Sequence, residues 1–376
     1  MKGIAHAVFP ESCGCASVLY MASKLLDVFL KDSPAKQESC PGKCKSRNER
    51  CRCSTFFLRA LIKDLVRFTL VAVCFFVFCP DVLARTKPYD IAMITWRSET
   101  PAEQGFKARL AKGPYPVTCH MYNAAQDINK LEDIIHILLQ TPPDLVYVFG
   151  TTATRQVMSR IKDIPIVFNV VTRPVKAGII DSWEHSGNNT TGVSSMVPLN
   201  SKLKALKKVV DYKVLAVLYN PLEPNSCIQM EMLHRLSVWM NFELKAFPIT
   251  HERDVDRAIS SMGNQVHAIY FPSDSRIISL GRKIMRQVNH LKIPSFAAVE
   301  SMVLDDDALM GLVPNYYDLG TLAALKAIRI FNGEKPGDIP SSTLNYFRIL
   351  INMKTAGKIG VQIPTSLLII SDVIVR

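Results

Sequence analysis

The stretch that decides the fold is Leu215-Ala-Val-Leu-Tyr-Asn-Pro-Leu-Glu-Pro-Asn-Ser226. Its first residues form a short apolar run, which predicts a buried strand, and this run stops at Asn220-Pro221. A polar loop follows, and residues 228–240 then form an amphipathic run that predicts a helix. A buried strand followed by a helix indicates a parallel α/β sheet, in which ligands bind beyond the carboxyl ends of the strands. The loop offers donors, acceptors and a carboxylate but no nucleophile–base pair, which favours binding of a small polar molecule over its conversion.

Strand and helix patterns alternate on both sides of this stretch. The first series predicts strands at residues 90–95, 116–122, 144–149 and 164–170, separated by helices at 101–111, 128–140 and after 150. The second series predicts strands at 214–218, 243–248, 267–271 and 295–298, with helices at 201–210, 228–240, 254–261 and 277–291. This order predicts parallel sheets with right-handed crossovers. Two similar series predict two lobes, and a cleft between lobes is a preferred small-molecule site.

The chain has 376 residues and a formal net charge of +12, which is enough length for two ordinary domains. Residues 1–84 hold 12 Lys and Arg against 7 Asp and Glu, and the rest of the chain holds 33 against 26. The basic residues of the later part fall mostly on helix patterns such as residues 201–208. No basic stripe with interleaved aromatic residues is present, so we expect no nucleic-acid partner.

Eight of the ten cysteines precede residue 80. Cys40, Cys44, Cys51 and Cys53 have loosely zinc-like spacing but include no Cys-x-x-Cys pair, so we expect no metal site there. Residues 56–84 predict a signal peptide, because a basic flank precedes a twelve-residue apolar core and Ala84 follows at a cleavage position. An uncleaved membrane anchor is the alternative. Residues 1–55 lie upstream of this signal, and we interpret them as a non-native or disordered extension, with the true start near residues 58–66.

Several loops that follow predicted strands face the expected cleft. Gly150-Thr151-Thr152 combines a glycine, two hydroxyls and a helix N-terminus, which predicts a carboxylate site or simple helix capping. Asp274 and Glu223 are expected to bind a ligand ammonium, or to act as a helix cap or a solvated charge. Trp96 is a candidate for stacking on a flat ligand or for core packing, and Arg97 for binding a carboxylate.

Catalytic patterns are absent from the sequence. It contains no Gly-x-Ser-x-Gly elbow and no His-Glu-x-x-His, and its eight histidines do not cluster. Residues 305–307 are three aspartates without the glycine or closing glutamate of a calcium loop, which favours an acidic surface turn. We therefore expect no enzyme, no cofactor and no metal. An enzyme with Asp274 or Glu223 as its base is the least favoured hypothesis.

The loops resemble those of ABC-transporter substrate-binding proteins of the tryptophan and tyrosine uptake branch. The resemblance is carried by Ile164-Pro-Ile-Val-Phe-Asn-Val-Val-Thr-Arg-Pro-Val-Lys-Ala-Gly178, Tyr219-Asn-Pro-Leu-Glu-Pro-Asn-Ser226, Tyr270-Phe-Pro-Ser-Asp274 and Tyr316-Tyr-Asp-Leu-Gly320, and it covers about residues 88–376. It implies a type I periplasmic-binding-protein fold, in which two Rossmann-like lobes with parallel sheets are joined by a three-strand hinge. The implied crossings lie near residues 194–198, 298–302 and 337–342. The implied N-terminal lobe is residues 88–196 plus 301–338, and the C-terminal lobe is residues 197–300 plus 339–376.

By the same resemblance, the residues that line the ligand cleft would be Thr151, Thr152, Thr172, Asn220, Asn225, Ser226 and Asp274. The chain departs from the family pattern at Arg173, where an aspartate is usual, and at Trp96-Arg97, where the usual pair is apolar or small. These cationic groups favour an anionic ligand if they face inward.

The expected function is that of a periplasmic, secreted solute-binding component of an ABC importer. The ligand would be an amino acid or a related small carboxylate, and the partners would be a permease and an ATPase. We expect a monomer that contacts the membrane only through its signal or anchor segment. A membrane-anchored ligand-sensing domain of a signalling system is the alternative.

Overall fold

The structure, a computed structural model, describes residues 87–376 apart from the side chain of Asn264. The expectations for residues 1–55, for the signal segment 56–84 and for the four cysteines between residues 40 and 53 lie outside these residues.

Strands and helices alternate along the chain. The strands are β1 (Tyr89–Thr95), β2 (Val117–Asn123), β3 (Leu145–Phe149), β4 (Ile166–Val171), β5 (Thr190–Ser194), β6 (Val214–Tyr219), β7 (Glu243–Pro248), β8 (Ala268–Phe271), β9 (Ser295–Ala297), β10 (Met310–Val313), β11 (Ser342–Thr343), β12 (Arg348–Asn352) and β13 (Val373–Val375). The α-helices are α1 (Pro101–Ala111), α2 (Ile128–Gln140), α3 (Thr151–Arg160), α4 (Leu199–Lys207), α5 (Pro224–Met240), α6 (Arg253–Met262), α7 (Ser275–Ser279), α8 (Gly281–His290), α9 (Glu300–Leu304), α10 (Tyr316–Phe331), α11 (Met353–Ile359) and α12 (Thr365–Ile369).

These strands form two sheets, one in each lobe. The sheet of the first lobe has the order β11-β5-β4-β3-β1-β2, and that of the second lobe has the order β13-β12-β10-β9-β8-β6-β7. Neighbouring strands are parallel apart from the antiparallel pair β10–β12. Strands β3, β4 and β5 are buried along their whole length, as expected where helices cover both faces of a parallel sheet. The predicted α/β fold with two parallel-sheet lobes is confirmed.

The chain crosses between the lobes three times, through residues 195–198, 314–315 and 344–347. The second and third crossings therefore lie later than residues 298–302 and 337–342. Strand β10 pairs with β9 and β12 in the second sheet, and β11 pairs with β5 in the first. The expected lobe boundaries at residues 301 and 339 were therefore wrong. The apolar pattern of a buried strand is the same in either lobe, so it does not reveal which sheet the strand joins.

The helix predicted at residues 277–291 is divided at Leu280 into α7 and α8. Gly281 begins α8, and a Cβ built on it would lie 2.2 Å from Oδ2 of Asp306. The predicted acidic turn packs against this break through Asp306, while Asp305 and Asp307 are exposed at the surface. Burial is the main cause that raises the pKa of Asp306 to about 6, and the Asp305 carboxylate adds to it.

Helix α10 returns to the first lobe and packs closely on α1. A Cβ built on Gly105 would lie 2.0 Å from the carbonyl oxygen of Tyr317, and one built on Gly320 would lie 1.9 Å from that of Ala102. The two glycines therefore allow the backbones to approach more closely than any larger residue would permit. This contact fixes Tyr316, the first residue of α10, between the lobes.

Candidate functional site

A cavity between the lobes collects the ends of several strands and the loops that follow them. We call it the interlobe cavity. The space within its lining, open solvent included, is about 330 Å³. The residues that line it are Trp96, Arg97, Phe149, Gly150, Thr151, Thr152, Val170, Thr172, Glu223, Asn225, Ser273, Ser275, Ile278 and Tyr316. Because the first eight belong to the first lobe and the next five to the second, a ligand bound there contacts both lobes.

The N-terminus of α3 supplies an anion-binding wall. Gly150 precedes the helix and has φ of 92°, a conformation that favours glycine. No side chain caps the helix at this position. Thr151 is buried at the first helical position, and the Oγ1 atom of Thr152 has no hydrogen-bond partner among residues 87–376. Neither threonine caps the helix, so its first N–H groups and this hydroxyl stay available to a partner at the cavity wall.

Trp96 and Arg97 extend from the end of β1. Trp96 is buried and packs in the apolar core of the first lobe, yet its Nε1 atom lacks a hydrogen-bond partner in the described part of the chain. The same is true of the Nε atom of Arg97, whose guanidinium lies 5.3 Å from the centre of the Phe149 ring. Trp96 thus combines core packing with a donor at the cavity, and Arg97 presents a charged donor supported by an aromatic face.

A strained residue shapes the wall next to these groups. Val170 has φ of 56°, which is an outlier for a β-branched side chain, and the register of β4 against β5 shifts there. A buried network holds it: the Val170 N–H donates to Asn169 Oδ1 at 2.9 Å, Asn169 Nδ2 donates to the Tyr147 hydroxyl at 3.0 Å, and that hydroxyl donates to Glu103 at 2.7 Å. The bulge places Val170 and Thr172 on the cavity wall.

The second lobe contributes a carboxylate whose pKa is raised. Glu223 accepts hydrogen bonds from the backbone N–H groups of Ser275 at 3.1 Å and Arg276 at 3.3 Å, and from Asn225 at 3.4 Å. Burial is the main cause that raises the pKa of Glu223 to about 7, with the nearby carboxylate of Asp274 as the second cause. Asn225 also donates to the carbonyl of Ser273. Both residues line the cavity and also order the start of α7.

Asn220, Ser226 and Asp274 do not line the interlobe cavity. Asp274 is fully buried and caps α7 by accepting from Ile277 N at 3.0 Å, while its other oxygen accepts from Asn220 N at 2.7 Å and from the Ser226 hydroxyl at 2.5 Å. Asn220 also accepts from Leu222 N at 3.0 Å. These contacts satisfy the three side chains within the second lobe, so they order its loops from behind the cavity and do not reach its wall.

Arg173 lies in a neighbouring space, which we call the hinge cavity. The space within its lining, open solvent included, is about 400 Å³. Its lining residues are Thr172, Arg173, Ser195, Met196, Val197, Leu199, Lys202, Gln229, Met232, Ser273, Ala298, Pro314 and Tyr316. It shares Thr172, Ser273 and Tyr316 with the interlobe cavity, so the two spaces adjoin.

The lobes also touch at the edge of the cleft. Lys176, in the loop after β4, forms an ion pair with Glu231 on α5, and Ile228 of α5 packs against the first-lobe cluster around Phe168 and Val171. These contacts join the lobes in a closed arrangement. Glu300 and Ser301 line a wider groove that both lobes form and that shares Arg97, Ser275, Ile278 and Tyr316 with the interlobe cavity.

Four wall residues were missed from the sequence: Phe149, Val170, Ile278 and Tyr316. Phe149 ends a predicted strand, and its ring centre lies 6.2 Å from that of Tyr316. The sequence shows that these residues follow strands or begin a helix. It does not distinguish an apolar residue that lines a cavity from one that packs in the core.

Within the part of the chain that the structure describes, no cluster of three or more His, Cys, Asp or Glu side chains suits a metal ion. Among the same residues, no helix is long and apolar enough to cross a membrane.

Comparison with known proteins agrees with this arrangement. Residues 93–375 match the ABC transporter substrate binding protein family. A tyrosine-binding protein of Clostridioides difficile is 31% identical over 266 residues, which cover 69% of this chain and 77% of the relative. A ligand-free, open substrate-binding protein with adhesive properties from Clostridium difficile is 26% identical, with a TM-score of 0.60 over 77% of this chain and 99% of the other. An ABC domain from Streptococcus pneumonia in complex with L-Trp shares the fold at 24% identity, with a TM-score of 0.73 over 77% of this chain and 100% of the other.

The two lobes and the order of their strands thus define the fold of the type I periplasmic binding proteins. The chain belongs to the ABC transporter substrate binding protein family. This is a family of extracytoplasmic solute-binding proteins rather than enzymes.

Proposed function

We propose that this protein captures an aromatic amino acid or a closely related small carboxylate in the interlobe cavity and delivers it to an ABC permease and its ATPase. One observation carries the proposal: buried donors without protein partners in residues 87–376 meet aromatic rings at one cavity wall. Those donors belong to Trp96, Arg97 and Thr152, and the rings are those of Trp96, Phe149 and Tyr316. The relatedness to a tyrosine-binding protein supports the same ligand class.

The wall of the interlobe cavity offers a suitable group for the carboxylate, the ammonium and the ring of an aromatic amino acid. Arg97, the Thr152 hydroxyl and the N-terminus of α3 would hold the carboxylate, because fixed donors and a helix dipole favour an anion. The two oxygens of Glu223 accept three protein hydrogen bonds, which leaves acceptor capacity for a ligand ammonium. Phe149 and Tyr316 would contact the ring. Closure of both lobes on the ligand then gives the affinity.

Export would depend on residues 56–84 as a signal peptide, with the protein acting as a monomer outside the cytoplasm. The protein recovered from its host should then begin near Arg85. An intact mass that retains residues 56–84 would contradict cleavage.

The ligand is tested by thermal unfolding of the exported protein with each of the twenty amino acids and with 3-(4-hydroxyphenyl)propanoate, which lacks the amine. A ligand at about 100 times its Kd adds about 2.7 kcal/mol to the free energy of unfolding. That corresponds to a shift of roughly 4 °C for a chain of about 290 residues, at about 2.1 cal/mol/K of unfolding entropy per residue. We expect the aromatic amino acids to give the largest shifts, and Arg97→Ala to lower them. If no amino acid or carboxylate shifts the melting temperature, the proposal is wrong.

A further inference from the structure

The hinge cavity is lined by basic side chains but by no acidic side chain of the described residues. Its wall contains two cationic side chains, Arg173 from the first lobe and Lys202 from α4, and no Asp, Glu or His of the described chain lines it. Lys202 is buried and Arg173 is half-buried. Uncompensated buried charge is costly, so a buried lysine near an arginine, with no counter-ion among the lining residues, indicates a space suited to a negative group.

Lys202 is the more informative of the two. It is only 5% exposed, and its ammonium forms no hydrogen bond or ion pair with any residue from 87 to 376. Burial lowers the pKa of Lys202 to about 7. A lysine on a helix surface can normally extend into solvent, but here the side chain ends in the cavity wall.

Other polar groups face the same space. The Oγ atom of Ser195, in the first crossing, is buried and has no hydrogen-bond partner in the described region. Arg173 likewise has no ion pair there. Gln229, by contrast, already donates to the Asn225 carbonyl and accepts from the Tyr270 hydroxyl. The groups left without a protein partner in the described region therefore include two cations and the Ser195 hydroxyl, a donor set that fits an oxyanion.

We propose that Lys202, Arg173 and Ser195 form an anion subsite, and that it receives an acidic group, a carboxylate or a phosphate, at the far end of the ligand in the interlobe cavity. The shared wall of Thr172, Ser273 and Tyr316 connects the two spaces. This inference rests on the proposed function and deepens it. Arg97 and α3 hold one acidic group of the ligand, while the hinge cavity selects ligands that carry a second.

The test compares three probes by calorimetry and thermal unfolding of the exported protein: L-tyrosine, 4-carboxy-L-phenylalanine and inorganic phosphate. Lys202→Met removes the charge and keeps a long apolar side chain, so it should fold. Lys208→Gln is the matched control, because Lys208 is exposed on the same segment. We expect 4-carboxy-L-phenylalanine to bind wild type at least about tenfold more tightly than L-tyrosine, as a charge-assisted hydrogen bond would give. Lys202→Met should remove this preference, and Lys208→Gln should keep it.

Proton uptake gives a second measurement. An anion beside Lys202 should restore its ordinary pKa, so binding at pH 8 should take up protons in wild type and fewer in Lys202→Met. The charged groups around it are Arg173 across the cavity, and Arg97 and Glu223 in the interlobe cavity. Because burial raises the pKa of Glu223 as well, Glu223→Gln separates its contribution. Calorimetry in two buffers of different ionisation enthalpy measures the uptake.

The outcomes separate the two proposals. If L-tyrosine binds and Lys202→Met behaves like Lys208→Gln with every probe, the anion subsite is wrong and the proposed function stands. If phosphate alone stabilises wild type but not Lys202→Met, the subsite is confirmed with a free anion as its occupant. If phosphate binds in this way but neither L-tyrosine nor 4-carboxy-L-phenylalanine binds, the proposed ligand class is wrong. If no probe binds at all, both proposals are overturned.

Discussion

Replacement of Asp274 by alanine separates a structural role from a ligand-binding role. The change removes the cap of α7 and leaves two buried donors, the Ile277 N–H and the Ser226 hydroxyl, without their acceptor. The Asn220 N–H keeps a partner, because the Ser226 Oγ atom lies 3.2 Å away. Each unsatisfied buried donor costs about 1–3 kcal/mol. Burial raises the pKa of Asp274, so relief of that desolvation returns part of the cost, and we expect a net loss of about 3 kcal/mol.

Urea unfolding at constant pH measures this loss, and Asp127→Ala is the matched control. Asp127 caps α2 through the N–H groups of Asn129 and Lys130, but it is exposed. Its replacement should cost only about 1 kcal/mol. Ligand affinity of folded Asp274→Ala should stay within about threefold of wild type, whereas loss of a charged contact to the ligand would lower it by about tenfold or more. A variant as stable as Asp127→Ala that loses affinity would refute the structural assignment.

Three further predictions test the cavity and the scaffold. Arg97→Lys should weaken carboxylate binding about tenfold by calorimetry, because the planar fork is lost, and should leave the melting temperature without ligand unchanged; unchanged affinity would contradict the role of Arg97. Because the folded pKa of Glu223, about 7, lies above its unfolded value, the folded chain binds the proton more tightly, and its stability should fall as pH rises from about 4.5 to about 7. Urea unfolding across that pH range should show a smaller decrease in the free energy of unfolding for Glu223→Gln than for wild type. Equal decreases would show that Glu223 is not the cause of the pH dependence. Gly320→Ala should lower the free energy of unfolding by about 1–3 kcal/mol, since the new Cβ meets the α1 backbone; a melting temperature equal to that of wild type would show that the helices separate freely.

The sequence predicts the alternating elements well because each buried strand and amphipathic helix carries a local pattern. Helix α2 is an example: Leu131, Ile134, Ile135 and Leu138 form a stripe at helical spacing, and these are its buried residues. The predicted bounds of residues 128–140 match the helix. The break at Leu280 was not predictable in this way, because the apolar pattern of residues 277–291 favours one continuous helix.

The site is harder to predict because its geometry depends on contacts between distant residues. The positive φ of Val170 has no local cause in a Val-Val-Thr sequence, which favours a continuous strand. Its stabilising network includes Glu103 and Tyr147, which come from another helix and another strand. Similarly, Asn220, Ser226 and Asp274 each follow a strand, as ligand-binding residues do. Only their mutual hydrogen bonds show that they support the second lobe.

The two lobes place side chains of opposite charge near the cavities, and this difference bears on which ligands the protein would select. The second lobe holds Asp274 and Glu223 close together, where burial and their mutual repulsion raise the pKa of Glu223 to about 7. The first lobe presents Arg97 and Arg173, and Lys202 lies beside Arg173 at the hinge. Glu223 and Lys202 are both partly protonated near neutral pH, so Arg97 and Arg173 give the walls of the two cavities an excess of positive charge. A zwitterion gains little from that excess, whereas a ligand with net negative charge gains in both cavities and draws the lobes together.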